Sequence, residues 1–218
     1  MASYFNLTLD TTAPTGASIA FKDGITITAT RTVNLVLSAT GATQMLLYGD
    51  IGAGSTPLAE GSATWETYAT AKQVQLTSGD GTKTVKAKYR DSVGNVSSEA
   101  TATITLDTAA PIVTITGPDV STVSKVASYD TCIFDFSSDT IFLQYKVKVV
   151  PSTSSDNTAG TLIPITAGSI NTSGNGNYPA STPMQVTVKA ADLETASAGD
   201  GVKIIKVFVA DSAGNWSV

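Results

Sequence analysis

Two short segments, DSVGN at Asp91–Asn95 and DSAGN at Asp211–Asn215, set a carboxylate four residues ahead of a carboxamide. Oxygen donors of this kind suit a hard cation, and Asp91, Asn95 and Asp107 are the candidate ligands for calcium. Calcium takes roughly six to eight oxygens, and only these three are in view. The same spacing has a structural reading: Gly and Asn tolerate positive φ, and an Asp side chain accepts hydrogen bonds from the backbone just ahead of it. The turn reading is taken here, so no metal and no other cofactor is expected.

Catalytic chemistry finds little support. The chain has no histidine, which removes the commonest general base and the commonest metal ligand together. Cys132 is the sole cysteine; without a base to activate it, it reads as a small hydrophobe on an inner strand face. The carboxylate pairs Asp192/Glu194 and Asp135/Asp139 have the residue types of a glycosidase, but nothing in their contexts separates them from surface acids. GDG at Gly79–Gly81 and Gly199–Gly201 lacks the Lys-Ser/Thr and following helix of a phosphate loop, and reads as a tight turn. Trp65, Tyr68, Tyr178 and Trp216 are open to a sugar-stacking reading, against which stands ordinary packing of aromatics in a sandwich. The expectation is a protein that is not an enzyme.

These residues sit within a repeat. DSVGN returns as DSAGN; LDTTAP at Leu9–Pro14 returns as LDTAAP at Leu106–Pro111; and in each copy GDG begins twelve residues before the Asp of the later turn. Repetition in fixed register marks two similar units, assigned as 1–106 and 107–218. From linker Asp to turn Asp the first unit spans 81 residues and the second 104, most of the difference falling in a Ser/Thr/Asn/Gly-rich insertion at 151–182.

Within the units the pattern is one of short strands. Thr84–Arg90 alternates Val85, Ala87 and Tyr89 inward with Lys86, Lys88 and Arg90 outward; Thr131–Phe136 and Ile141–Val149 alternate likewise. About seven such strands per roughly 100 residues describe an all-β fold of two tandem β-sandwich domains. A lone cysteine excludes an intrachain disulfide. The formal charge is −5, near −1 in the first unit (7 Lys/Arg, 8 Asp/Glu) and −4 in the second (6 and 10), which disfavours binding to nucleic acid. No apolar run approaches the roughly 18 residues of a membrane span, and the start, MASYFNLTLDTTAP, lacks the basic and apolar regions of an export signal.

Two features point to association. The second unit has no counterpart of Ala100–Leu106, whereas Ser3–Leu9 alternates as a half-buried strand and matches the missing piece: Leu9 with Leu106, Leu7 with Ile104, Phe5 with Ala102. Ser3–Leu9 is therefore a candidate donor to the open edge of a second domain, most plausibly in a neighbouring subunit, against the plainer reading of an N-terminal strand on the first unit. The positions of the basic row are taken in the second unit by Ile204, Lys206, Phe208 and Ala210; this outer face needs cover, either from the insertion or from a partner. Phe5, Leu7, Leu9, Ile204, Phe208 and Trp216 are the interface candidates.

The DTTAP/DTAAP linkers, GDGTKTVKAKYRD and the D-S-x-G-N turns closely resemble the bacterial immunoglobulin-like repeats, relatives of fibronectin type III modules found in surface adhesins and in tailed-phage virion proteins. The resemblance covers nearly all of the first unit, and Asp107–Pro111 and Gly199–Trp216 of the second. It implies two tandem immunoglobulin-like β-sandwich domains, and a structural or adhesive virion protein of a tailed bacteriophage or phage-like particle (capsid decoration, neck, tail or baseplate component), assembled in the host cytoplasm. Its partners would be other virion proteins or copies of itself, with a host-surface glycan as a further ligand, and no nucleic acid or membrane. The alternative is an extracellular fragment of a bacterial surface adhesin serving as spacer or glycan-binding module.

Overall fold

The computed structural model describes residues 4–151, 154 and 156–218. The chain divides into two compact units, Met1–Thr108 and Ala109–Val218, both almost wholly β.

The first unit contains β1 (Thr15–Phe21), β2 (Ile27–Thr28), β3 (Thr32–Thr40), β4 (Gln44–Gly49), β5 (Glu66–Thr67), β6 (Ala71–Gln75), β7 (Gly81–Arg90) and β8 (Ala100–Leu106). One sheet runs β1-β3-β6, the other β2-β8-β7-β4-β5. Every pairing is antiparallel except the short parallel contact of β2 with β8. Strands with one face buried must alternate, and β3 and β7 do. Leu35 and Leu37 from the first sheet meet Val85, Ala87 and Tyr89 from the second in one core, which Ile104 and Leu106 of β8 complete. On the outer face of β7, Lys86 pairs with Glu99 (3.0 Å) and Lys88 with Glu60 (2.6 Å). Arg90 donates to Gln44 (2.6 Å) and lies over the Trp65 ring, 4.4 Å from its centroid.

The second unit contains β9 (Val113–Thr116), β10 (Thr131–Ser138), β11 (Phe142–Val150), β12 (Thr161–Leu162), β13 (Ser173–Tyr178), β14 (Met184–Lys189), the helix α1 (Ala190–Ala196) and β15 (Ile204–Ala210). β9-β10-β14 reproduces the first sheet of the other unit. In the second sheet β15 lies along one side of β11, from Gln144 to Val150, so β12 and β13 divide the other side. The two strands within the insertion were not expected from a sequence as poor in strand formers as SGNGNY. β13 is held by its aromatic end: Tyr178 stacks on Phe142 (4.8 Å between centroids, 17° between planes) and meets Tyr145 edge-on at 5.3 Å. Gly174 permits this, since a Cβ there would stand 2.6 Å from the Tyr145 ring. Ile163, just after β12, is buried in the core with Phe134, Phe136, Val147 and Val207.

The fold is thus two tandem immunoglobulin-like β-sandwiches, and they differ in one respect. β7 is flanked by β4 and β8. Its counterpart β15 is flanked by β11, and on the other side, among the described residues, it makes only the isolated bridge Ala210–Trp216. Nor, among the described residues, does the second unit have a counterpart of β2, which pairs with β8 in the first. The expectation of a strand at Ser3–Leu9 is corrected for the described part, Tyr4–Leu9: these residues pair with nothing and are exposed, Phe5 by 84% and Leu7 and Leu9 by 85%. Alternation is a local property, whereas a strand needs a neighbour. Ser3 lies outside the described residues.

Candidate functional site

The two D-S-x-G-N turns are built alike. Asp91 Oδ1 accepts from the backbone N–H of Val93 (3.0 Å), Gly94 (2.8 Å) and Asn95 (2.9 Å), and Oδ2 accepts from Asn95 Nδ2 (2.9 Å). Asp211 Oδ1 accepts from Ala213 N–H (2.8 Å) and Asn215 N–H (2.9 Å), and Oδ2 from Asn215 Nδ2 (2.9 Å). In the first unit Asn95 also donates to the carbonyl of Asp10 (3.2 Å), pinning the incoming linker to the turn. Asp107, the third calcium candidate, follows β8 and donates its N–H to the Thr28 carbonyl (3.0 Å). Among the described residues no group of three or more acidic or cysteine side chains gathers as a metal site. Asp91 Oδ1, with three N–H donors, has its lone pairs committed to the turn.

Burial alone would raise the Asp91 carboxyl. The bonds from the Asn95 side chain and from the backbone N–H groups of Asn95, Val93 and Gly94 outweigh it and hold the carboxyl below its usual range. A depressed folded pKa contributes stability that is present above the unfolded value of about 3.9 and is lost as pH falls through the folded value. Asp91→Asn is therefore expected to lower the melting temperature of the first unit at neutral pH and to flatten its decline in acid. Melting curves of both proteins across the acid range check this.

Three of the four paired carboxylates, Asp139, Asp192 and Glu194, accept hydrogen bonds from backbone N–H groups. Asp192 sits in α1, a helix absent from the sequence reading, with no exposed surface. Its Oδ1 accepts from Thr166 Oγ1 (2.8 Å) and Ala167 N–H (2.8 Å), its Oδ2 from Ser169 N–H (3.0 Å). Glu194 accepts from Gly199 N–H (3.1 Å), and Asp139 from Ile112 N–H (2.8 Å). Asp192 is a loop anchor that sequence reasoning missed. The run AADLETA, rich in good helix formers straight after a strand, was the available signal.

The outer face of β15 is covered from within the chain. Lys206 donates to the Ser154 carbonyl, Lys148 to the Asn157 carbonyl (2.9 Å) and Lys146 to Asn157 Oδ1 (3.2 Å). Burial, and then the neighbouring Lys146, pull Lys148 below the usual lysine range. Three lysines thus draw the start of the insertion across this face. Phe208, offered above as an interface residue, is corrected here: it is only 1% exposed and presents nothing to a partner. Ile204 and Trp216 are half-buried, and Lys146 Nζ lies 4.3 Å from the Trp216 ring centroid. Trp65, beneath Arg90, and Tyr178, stacked on Phe142, are likewise engaged within their own units. Tyr68 accepts a hydrogen bond from Ala39 N–H (3.1 Å).

The second unit has a groove of about 770 Å³ that takes in Lys203 and Ile205 at the unpaired edge of β15. Pro118, Cys132, Val188, Leu193, Val202 and Ile205 are among the residues that line it. Cys132 faces Val188 across β10 and β14, as Val33 faces Val74 across β3 and β6. Val33 is buried in a core that includes Ile104 and Leu106; Cys132 is half-buried and borders the groove. The groove therefore lies where the first unit keeps the inward side chains of β8. Burial, and then Asp119, push the Cys132 thiol upward, which makes it a poor nucleophile near neutrality.

No protein-family model matches the sequence, and no curated protein does. Among solved structures, the chain is similar to the fibronectin(III)-like modules of Clostridium thermocellum CbhA, at 13% identity over 92% of this chain and 89% of that one (TM-score 0.41). It is similar to part of a 1.5-MDa bacterial ice-binding adhesin, at 14% identity over 92% of this chain and 60% of that one (TM-score 0.40). It also aligns with chitinase ChiA74 from Bacillus thuringiensis, at 11% identity (TM-score 0.34); the alignment takes in 92% of this chain and only 30% of the chitinase.

Proposed function

We propose that this chain is a non-enzymatic structural protein that acts through protein–protein contacts on the exterior of a tailed-phage or phage-like particle. One observation carries the assembly part of this reading: among the described residues, the second unit leaves a strand edge unpaired, beside a groove that Cys132, Val188, Leu193 and Ile205 line together with Lys125, Glu194 and Lys203. An open edge is a template for pairing, and a groove with apolar side chains beside it suits a partner strand. The particle setting is supported by the resemblance of the DTTAP/DTAAP linkers and D-S-x-G-N turns to repeats of virion proteins. Partners on this reading are copies of the chain or other structural proteins, with no cofactor required.

The setting is tested with antibody raised against the chain, applied to purified particles and to cells of the source and viewed by immunogold electron microscopy. Gold on particle exteriors is the expected result. Gold confined to the cell envelope would transfer the protein to the surface-adhesin reading.

A further inference from the structure

We infer that the groove of the second unit is filled by residues Tyr4–Leu9 of another copy of this chain, which add to β15 as an antiparallel strand. The inference rests on the reading of the chain as an assembly component, and not on where the assembly sits.

Three independent observations meet here. The first is the edge of β15: Gly201–Ala210 corresponds residue for residue to Gly81–Arg90, and among the described residues no strand pairs with it where β8 pairs with β7. The correspondence extends to detail. Val209 N–H donates to Ser217 Oγ (3.0 Å) as Tyr89 N–H does to Ser97 Oγ (3.0 Å). Lys203 reaches back to the Ala198 carbonyl (3.1 Å) as Lys83 does to that of Ser78 (3.2 Å). The second is the groove, bordered by Cys132 and Ile205, with Val202 95% exposed at its rim. The third is a segment of the right pattern with no place in its own unit. Phe5, Leu7 and Leu9 are exposed on alternate positions and separated by polar Asn6 and Thr8.

The register follows from the first unit. There Leu106 stands opposite Gly81, Ile104 opposite Lys83 and Ala102 opposite Val85. Transferred, Leu9 stands opposite Gly201, Leu7 opposite Lys203 and Phe5 opposite Ile205. All three apolar side chains then point into the groove, while the backbone of the donor satisfies the free edge of β15. A slip of one residue would turn Asn6 and Thr8 inward, so the register is fixed by burial. Phe5 is far larger than Ala102, and the open groove beside Cys132 has room for it. After the donor strand comes LDTTAP, as LDTAAP follows β8. A tail seated in one copy is thus followed by the same linker and a new first unit, and the contact is head-to-tail. Head-to-tail contacts propagate into rings or filaments.

The test compares the full chain with the variant Phe5→Asp/Leu7→Asp by size exclusion with light scattering over a range of concentrations. Both sites are exposed in the isolated chain, so the variant retains its fold. In parallel, alkylation of Cys132 is timed at alkaline pH, where its thiol ionises. The full chain is expected to form multimers that grow with concentration, and the variant to run at the 22.3 kDa of one chain. Cys132 is expected to alkylate about tenfold more slowly in the multimer than in the variant, as a group reached only after local opening does. A synthetic peptide of residues 4–12 should restore that protection to the variant. A variant of unchanged multimeric mass would overturn strand donation while leaving assembly through another surface intact. A monomeric full chain whose Cys132 reacts as in the variant would overturn both. A monomeric full chain with Cys132 protected would place the strand within its own chain, against donation between copies, and a peptide that leaves Cys132 exposed contradicts the proposal directly.

Discussion

Asp192→Ala is expected to destabilise the second unit by about 2 kcal/mol, the cost of losing a buried acceptor and leaving the buried Ser169 N–H without a partner. The carboxylate has no exposed surface and accepts three bonds that fix the loop at 166–169. Alanine removes the charge but leaves the buried Ser169 N–H without its acceptor, while the exposed Thr166 and Ala167 donors turn to water. Asp192→Asn should cost about half as much, since an amide oxygen can keep two of the bonds while its NH2 faces the third donor. The chain offers a clean readout: its two tryptophans fall one to each unit, Trp65 and Trp216. In a Trp65→Phe background, urea unfolding followed by Trp216 fluorescence reports the second unit. Burial raises the Asp192 carboxyl, but the bonds from Ser169, Ala167 and Thr166 prevail and hold it low. Its contribution is therefore present above the ordinary carboxylate range and fades as pH falls below it. An alanine variant as stable as the parent would show that the loop does not depend on this anchor.

The second large effect belongs to Tyr89, the buried ring of β7. Its hydroxyl donates to the Ser18 carbonyl (2.5 Å), and its ring meets that of Tyr68 edge-on at 5.8 Å, so one side chain ties the two sheets of the first unit together. Tyr89→Ala should cost about 3–5 kcal/mol through the cavity left behind. Tyr89→Phe should cost about 1 kcal/mol, through the unpaired carbonyl. Burial, and then the neighbouring Tyr68, push the phenol up to about 12. A folded pKa above the unfolded value of about 10 means stability that is complete below pH 10 and is lost as pH rises towards the folded value. In a Trp216→Phe background, fluorescence of Trp65 should show the parent losing stability steeply over that window and Tyr89→Phe losing less. Tyr48, raised by burial and by its bond to Glu99, leaves a residual slope in both.

Much of this architecture was legible in the sequence because it is local or repeated. The alternation of Val85, Ala87 and Tyr89 against Lys86, Lys88 and Arg90 reports which face of β7 is buried, and the structure places each residue accordingly. The twin turns could be read as turns since Asp91 and Asp211 bond within five residues of themselves. What escaped was long-range. Phe208 looked exposed because lysine takes its place in the first unit; it is buried on a face where Lys146, Lys148 and Lys206 donate to Ser154 and Asn157. β13 was hidden since Gly and Asn disfavour strands; it pairs along β11, with Tyr178 packed on Phe142 and Tyr145. Asp192 looked like a surface acid because nothing near it in sequence names the loop it anchors, some 25 residues earlier. The tail Tyr4–Leu9 is the converse case: it has the pattern of a strand and no partner within its own unit.

Hydrogen–deuterium exchange of the full chain at rising concentration tests the central claim most directly, because it reads donor and acceptor at once. The account predicts that amides of residues 4–9 and of the β15 edge from Val202 to Lys206 gain protection together, at the concentrations where multimers appear. Residues 4–9 exchanging at the rate of a free peptide in a fully multimeric sample would contradict it.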